Sequence, residues 1–167
     1  VRIAVAGREN MPIICSRLTG DDVKNMDVGD EIKVTGRLRN FYGTVEFKEG
    51  CRLVKWTDVP SAEEKMAAIV DAAYALADNE TMDHAETLTG TVISMEQAYT
   101  PGLPYISVTM EVAGREDKPI FCYRMVGDDI AMVDAGDIIT VIGTLRNFHG
   151  TVEFEAGCLL ECWEPGA

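Results

Sequence analysis

The sequence predicts an all-β chain with one connecting α-helix: two tandem five-stranded Greek-key barrels, the first lacking its N-terminal strand. Three observations predict it. Shifted by 107 positions, Val5 to Trp56 lies over Val112 to Trp163 without a gap, and 31 of 52 positions are identical. Stretches that alternate apolar with polar residues recur along the second copy, which is the period of half-buried strands. Between the copies, one segment carries apolar residues at helical spacing instead. An internal repeat of this strength outranks any local signal. It divides the chain into a first repeat over 1–56, a helical connector over 57–82 that packs on the second repeat, and the second repeat over 83–167.

The first repeat is N-terminally incomplete. Val1 aligns with Val108, in the middle of a strand, and nothing stands over the first strand of the second copy. We expect that Val1 is not the natural N-terminus, or that another chain donates the strand. A central strand left out exposes backbone donors and apolar side chains.

The connector opens at Ser61 with Glu64 three residues on, an S-x-x-E capping box. Met66, Ile69, Val70, Ala73 and Ala77 share one face, and Asn79 ends an expected helix of about 18 residues. In the second repeat, Leu88, Gly90 and Val92 alternate with Thr87, Thr89 and Thr91 as the first strand. A turn at Thr100-Pro101-Gly102 leads to the second strand, carried by Ile106, Val108, Met110 and Val112. Gly114 to Asp117 turns the chain into a third strand around Ile120 and Cys122. Gly127 to Gly136 is polar, with room for about one helical turn. Ile139, Val141, Gly143 and Leu145 form the inward face of a fourth strand, and Asn147 to Gly150 is a hairpin loop. Val152 and Phe154 begin a fifth strand, which bends at Gly157 and runs on to Trp163.

Net charge is −13, unevenly spread: +2 over 1–56, −7 over 57–86 and −8 over 87–167. An acidic protein repels phosphate at long range, so a bulk electrostatic grip on nucleic acid is disfavoured outside the first repeat. No run of 18 apolar residues exists, so no membrane insertion is expected. No catalytic or cofactor motif is visible, neither H-E-x-x-H, Walker loop, G-x-S-x-G, CxxC nor a glycine-rich dinucleotide loop. The two histidines, His84 and His149, lie 65 positions apart. The expectation is a non-enzymatic chain with no cofactor and no metal.

Two runs, Gly29–Leu53 and Gly136–Leu160, share the form "GD-x-I-x-V-x-G-x-L-x-N" entering a hairpin and "G-T-V-E-F…G-C-x-L" leaving it. With five strands and a long gap after the third, this resembles the oligonucleotide/oligosaccharide-binding (OB) fold, and within it the tRNA-anticodon-binding-like group. A helix reading "AAYALAD" before "LTGTVIS" is similar to repeat modules of secreted or surface-attached bacterial proteins. The resemblance covers both repeats and the connector. It implies two tandem OB-fold barrels and is silent on activity, because OB folds host many functions.

The resemblance makes strands three and five neighbours, which brings Cys15 near Cys51 and Cys122 near Cys158. Two candidate disulfides follow, suited to an extracellular compartment; two pairs of buried thiols suit a cytoplasmic one. Cys162 is too far along one strand from Cys158 to bridge it. The resemblance also places the loop between strands four and five at a ligand-contacting edge. That loop offers Arg39, Asn40, Phe41 and Tyr42, then Arg146, Asn147, Phe148 and His149. An aromatic beside an arginine suits stacking on a base or sugar ring, although Phe41 could equally plug the barrel end. On the outer face of strand four, Glu31, Lys33, Thr35 and Arg37 of the first repeat become Ile138, Thr140, Ile142 and Thr144 of the second. The apolar version is expected to be covered, and Lys33, Arg37 and Arg39 are the expected contacts to any anionic ligand.

Two functions remain open. The favoured one is a module of a secreted or cell-surface protein that spaces or binds protein or glycan. The alternative is single-stranded nucleic-acid binding through the first repeat. A weaker third idea is an acidic decoy of nucleic acid.

Overall fold

A computed structural model describes residues 1–166 of the chain. It divides into two compact units, Val1–Ser61 and Ala62–Ala167. The described residues are mostly β with one α-helix.

The second unit begins with helix α1 (Ala62–Tyr74). Glu63 and Glu64 sit in its first turn, where the helix dipole favours acids. Ala67, Val70 and Ala73 are buried, and Val70 and Ala73 join the core with Met66 and Ile69 packed beside them. The helix is 13 residues long, shorter than its apolar spacing predicted. After Tyr74 the backbone tightens: the Leu76 amide donates to the Ala73 carbonyl at 3.3 Å, and Asn147 Nδ2 donates to the Leu76 carbonyl at 2.9 Å. A side chain thus satisfies a carbonyl left over at the helix end, so Ala77 and Asn79 lie beyond the helix.

Six strands follow: β7 (Thr81–Gln97), β8 (Ile106–Glu111), β9 (Ile120–Met125), β10 (Ile138–Phe148), β11 (Thr151–Phe154) and β12 (Leu159–Glu164); β1 to β6 belong to the first unit, below. β7 pairs with β8 and β10, β8 with β9, β9 with β11, and β11 with β10. These five strands close into a barrel. All pairings are antiparallel except β9 with β11, which is parallel. β12 adds to the far side of β10. One strand was expected where β11 and β12 lie; Glu155 to Cys158 makes a full turn between them, with the Cys158 amide donating to the Glu155 carbonyl. The polar stretch after β9 holds a single 3-10 turn, Ile130–Met132.

The alternation puts the apolar side chains inside. Leu88, Val92, Ile106, Val108, Met110, Ile120, Ile139, Val141, Leu145 and Phe154 are almost wholly buried in one core. The outer face of β10 is less covered than its composition predicted. Ile138 is exposed, and Thr140, Ile142 and Thr144 are half-buried. Neighbouring threonines line this face, and the Thr89 and Thr140 hydroxyls hydrogen-bond at 2.9 Å.

The first unit holds β1 (Arg2–Val5), β2 (Arg8–Cys15), β3 (Glu31–Thr35), β4 (Leu38–Phe41), β5 (Thr44–Phe47) and β6 (Arg52–Thr57). They form a four-stranded sheet, β1-β2-β5-β4, and a separate two-stranded sheet, β3-β6. The segment aligned with β10 is split at Gly36 and Arg37 into β3 and β4. In the second unit β7 pairs with β10 from Ile138 to Arg146 and holds it continuous. Among the described residues of the first unit no strand pairs with both β1 and β3, and no ring closes. Its buried apolar cluster is small: Cys15, Phe47 and Cys51, with Ile3, Ile13, Leu18 and Val34 partly buried around it.

Candidate functional site

The repeated hairpin has the same construction in both units. Tyr42 (φ 51°) and Gly43 (φ 87°) form its two-residue loop in the first unit, His149 (φ 51°) and Gly150 (φ 88°) in the second. Positive φ at both central residues is the geometry whose twist matches paired strands. The side chain of the asparagine before the turn secures it. Asn40 Oδ1 accepts from the Gly43 amide at 2.9 Å, and Asn147 Oδ1 from the Gly150 amide at 2.9 Å.

This turn fixes the register, and the register decides what the arginines do. Arg39 lies across from Glu46, and Arg146 across from Glu153. Arg39 Nε donates to Glu46 at 2.6 Å, and Arg146 Nε donates to Glu153 at 2.8 Å. Both glutamates are buried. A buried carboxylate needs a hydrogen-bonded counter-charge, so each arginine is held at home. Each guanidinium also lies over the phenylalanine two residues on, 4.7 Å from the Phe41 ring and 4.5 Å from the Phe148 ring. The phenylalanines are themselves exposed and plug neither barrel end. Tyr42 projects fully into solvent with its ring edge-on to Phe41, and His149 packs beside Phe148. His149 also faces Asp78 at 3.6 Å.

Lys33 and Arg37 are not part of this hairpin cluster. Lys33 stands on β3 directly across from Lys55, with Arg52 across from Thr35 further along. Like charges across a strand pair repel, so this outer face is a small basic patch. Arg37 lies in the break between β3 and β4. The structure therefore brings Arg39, Asn40, Phe41 and Tyr42 together, and Arg146, Asn147, Phe148 and His149 together.

All five cysteines are free thiols, and neither candidate disulfide is formed. Cys15, Cys51, Cys122 and Cys158 are all buried. The Cys51 thiol is turned toward the Ser16 carbonyl at 3.4 Å, and Cys158 toward the Tyr123 carbonyl at 3.9 Å. Burial pushes the Cys122 thiol well up and the Cys158 thiol up to about 12. These thiols behave as small core residues. Cys162 is exposed.

One duplicated feature carries no obvious motif. Asp30 Oδ2 accepts from Trp56 Nε1 at 2.6 Å and from the Asp27 amide at 2.8 Å. Asp137 Oδ2 accepts from Trp163 Nε1 at 2.7 Å and from the Asp134 amide at 2.8 Å, while its Oδ1 accepts from the Gly166 amide at 2.7 Å. The Gly166 amide first, then the Trp163 indole, hold the Asp137 carboxyl below the usual carboxylate range. The signal was present: both members of each pair survive in both repeats. These clamps are structural, tying the start of one strand to the end of another. Among the described residues no three His, Cys, Asp or Glu side chains converge to hold a metal ion. Among the described residues no helix is long and apolar enough to cross a membrane. No family model matches the chain, and no curated protein matches it.

Proposed function

We propose that the chain is a non-enzymatic pair of OB-type modules, of the kind resembling the tRNA-anticodon-binding-like group, that spaces or binds protein or glycan in a secreted or cell-surface protein. The OB reading is supported by the strand ring of the second unit, in particular its parallel β9–β11 contact. The observation that carries the functional reading is the state of the hairpin arginines. Arg39 and Arg146 are neutralised by buried Glu46 and Glu153 and stacked on their own phenylalanines. A phosphate backbone would have to compete with buried carboxylates for them, in a chain of net charge −13. The loop keeps exposed Phe41, Tyr42 and Phe148, which suit a polypeptide or a sugar face. The surface location rests on the acidity and the resemblance, since the thiols are free.

Lys33 opposite Lys55 favours the second reading, single-stranded nucleic-acid binding through the first unit. One titration separates them. Labelled single-stranded DNA and RNA are titrated with the chain at about 20 mM salt, where phosphate contacts are strongest. The module reading expects no saturable binding below about 100 μM, a very weak affinity. Saturable binding in the low micromolar range, abolished by charge removal at Lys33 and Lys55, would establish the nucleic-acid reading in its place.

A further inference from the structure

We propose that the outer face of β9 in the second unit binds a sugar that carries a carboxylate, and that Arg124 takes its charge. The proposal rests on reading the chain as a glycan-binding module and names the class of glycan.

Three observations carry it. The first is a break in the strand. Side chains alternate between the two faces of a strand. Cys122 is buried and Tyr123 half-buried on the outer side, so Arg124 should point inward. Its φ of 48° breaks the alternation: Arg124 is exposed, and Met125 is buried in its stead. The Arg124 guanidinium then lies 5.1 Å from the Tyr123 ring and 5.1 Å from the Tyr105 ring. The Arg124 amide donates to the Ser107 hydroxyl at 3.1 Å, and its carbonyl accepts from the Gly157 amide at 3.1 Å, which fixes the kink. Left-handed backbone outside glycine is costly and collects at binding sites.

The second is a comparison of repeats. Arg17, the aligned residue, makes the same kink at φ 52°. There the guanidinium is paired with Glu49 at 2.8 Å. In the second repeat Ala156 stands at the place of Glu49, and Tyr123 at the place of Ser16. The ion pairs of the second unit engage Arg115, Lys118 and Arg146, and Arg124 forms none among the described residues. An arginine framed by rings and relieved of its acid keeps its fork of N–H donors for a carboxylate from outside.

The third is what adjoins it. The Tyr123 ring lies 5.9 Å from the Phe121 ring. Phe121 lines an open cleft of about 410 Å³ together with Tyr74, Glu96, Thr109 and Thr151, a volume in the range of small-ligand sites. Glu96 Oε1 accepts from the Ser94 and Thr109 hydroxyls at 2.5 and 2.7 Å. These bonds orient the carboxylate and leave Oε2 to accept from a ligand. An aromatic face bordered by hydroxyls and a fixed acceptor matches a sugar ring with its own hydroxyls. Charge then selects within the class. Residues 87–167 carry a net −8, which disfavours multiply charged phosphates. An acidic peptide would set its carboxylates against Glu96. A sugar with one carboxylate meets Arg124 at one end and offers hydroxyls to Glu96 at the other.

The test is an NMR titration of the full chain with three probes: a trisaccharide of two neutral hexoses ending in one glucuronic acid, its methyl ester, and a tripeptide with two glutamates. The acid sugar should shift the signals of Phe121, Tyr123 and Arg124 saturably, with a Kd below about 1 mM. The ester, which lacks only the charge, should bind about tenfold more weakly or worse. Ala156→Glu restores the acid of the first repeat at an exposed position. It should weaken the acid sugar about tenfold and leave the melting temperature unchanged. Arg124→Lys should lose affinity severalfold, since a point charge replaces the fork. No shifts up to about 1 mM acid sugar overturn the proposal, as does binding that Ala156→Glu leaves unchanged. Tighter binding of the tripeptide overturns it too, by making a polypeptide the ligand. Equal binding of acid and ester removes Arg124 from the site but keeps the broader glycan reading, which the nucleic-acid titration above tests separately.

Discussion

The two units run the same sequence pattern to different ends. In the second, β7 sits between β8 and β10, the ring closes, and twenty side chains form one buried cluster. In the first, the same pattern yields an open pair of sheets around three buried side chains. Leu38 and Leu145 occupy aligned places in identical decapeptide surroundings but for Tyr42 and His149. One is half in water and the other fully buried. What differs is the one central strand and the helix before it. Local sequence sets the hairpins and turns, and a single non-local strand decides whether they enclose a core.

The comparison breaks most plainly at those leucines. Leu145→Ala empties a fully packed site and should destabilise the second unit by about 2–5 kcal/mol. Leu38→Ala removes a half-exposed side chain, so its cost should be below about 1 kcal/mol. Urea denaturation followed by hydrogen exchange in each unit measures both. Equal costs would mean that the first unit is closed in solution.

The thiols extend the comparison to dynamics. Cys158, buried and with its thiol pushed up to about 12, has little thiolate at neutral pH. Cys122 is buried as deeply. Alkylation under native conditions should modify exposed Cys162 first. Cys15 and Cys51 should follow, because an open unit visits unfolded states more often. Cys122 and Cys158 should come last, about a hundredfold slower than Cys15 if the units differ by some 3 kcal/mol in local stability. Mass spectrometry of timed samples reads the order; simultaneous modification of all four buried cysteines would erase the distinction.

Much of this was legible in the sequence, for physical reasons that are local. The alternation at Leu88, Gly90 and Val92 placed a strand whose apolar face is buried. Asn147 and Gly150 marked a turn that only certain backbone angles allow. The engagement of Arg39 was also within reach: a two-residue loop at Tyr42-Gly43 puts position 39 across from position 46, and Glu46 stands there. The helix end was not legible, because the Leu76 carbonyl just beyond it is satisfied by Asn147, 71 residues away in the sequence. The Asp137–Trp163 clamp joins residues 26 apart and leaves no local pattern, so its one trace was the recurrence of both members in both repeats.

That clamp sharpens the comparison through pH. The Asp137 carboxyl is held below its ordinary value, so its contribution is fully present above the unfolded carboxylate pKa and is lost as pH falls through the folded one. The melting temperature of the second unit should therefore drop below about pH 4. Asp137→Asn should flatten part of that drop and cost about 2 kcal/mol at neutral pH, since charged hydrogen bonds are replaced by neutral ones. Asp30 is shifted the same way, by the Asp27 amide first and then Trp56, but it is more exposed. Asp30→Asn should have the smaller effect. Thermal melts between pH 3 and 7, read separately for the two units by hydrogen exchange, check both signs.

The smallest expected effect tests where the two units stop differing. Phe41 and Phe148 are both exposed, both carry an arginine over one face at similar distance, and both sit two residues past an arginine held by a buried glutamate. None of these contacts involves β7. Replacing either ring by leucine removes a cation–π contact worth about 0.5–1 kcal/mol at an exposed site and leaves the Arg–Glu pair in place. Phe41→Leu and Phe148→Leu should thus cost the same within error, although the core substitutions above differ severalfold. Equal small losses in paired melts would show that the hairpin is a self-contained device, carried unchanged into a closed barrel and into an open pair of sheets. A distinctly larger loss for Phe41→Leu would mean that the hairpin of the first unit relies on the aromatic cluster where the second relies on its core, and the division between local turn and non-local closure would have to be redrawn.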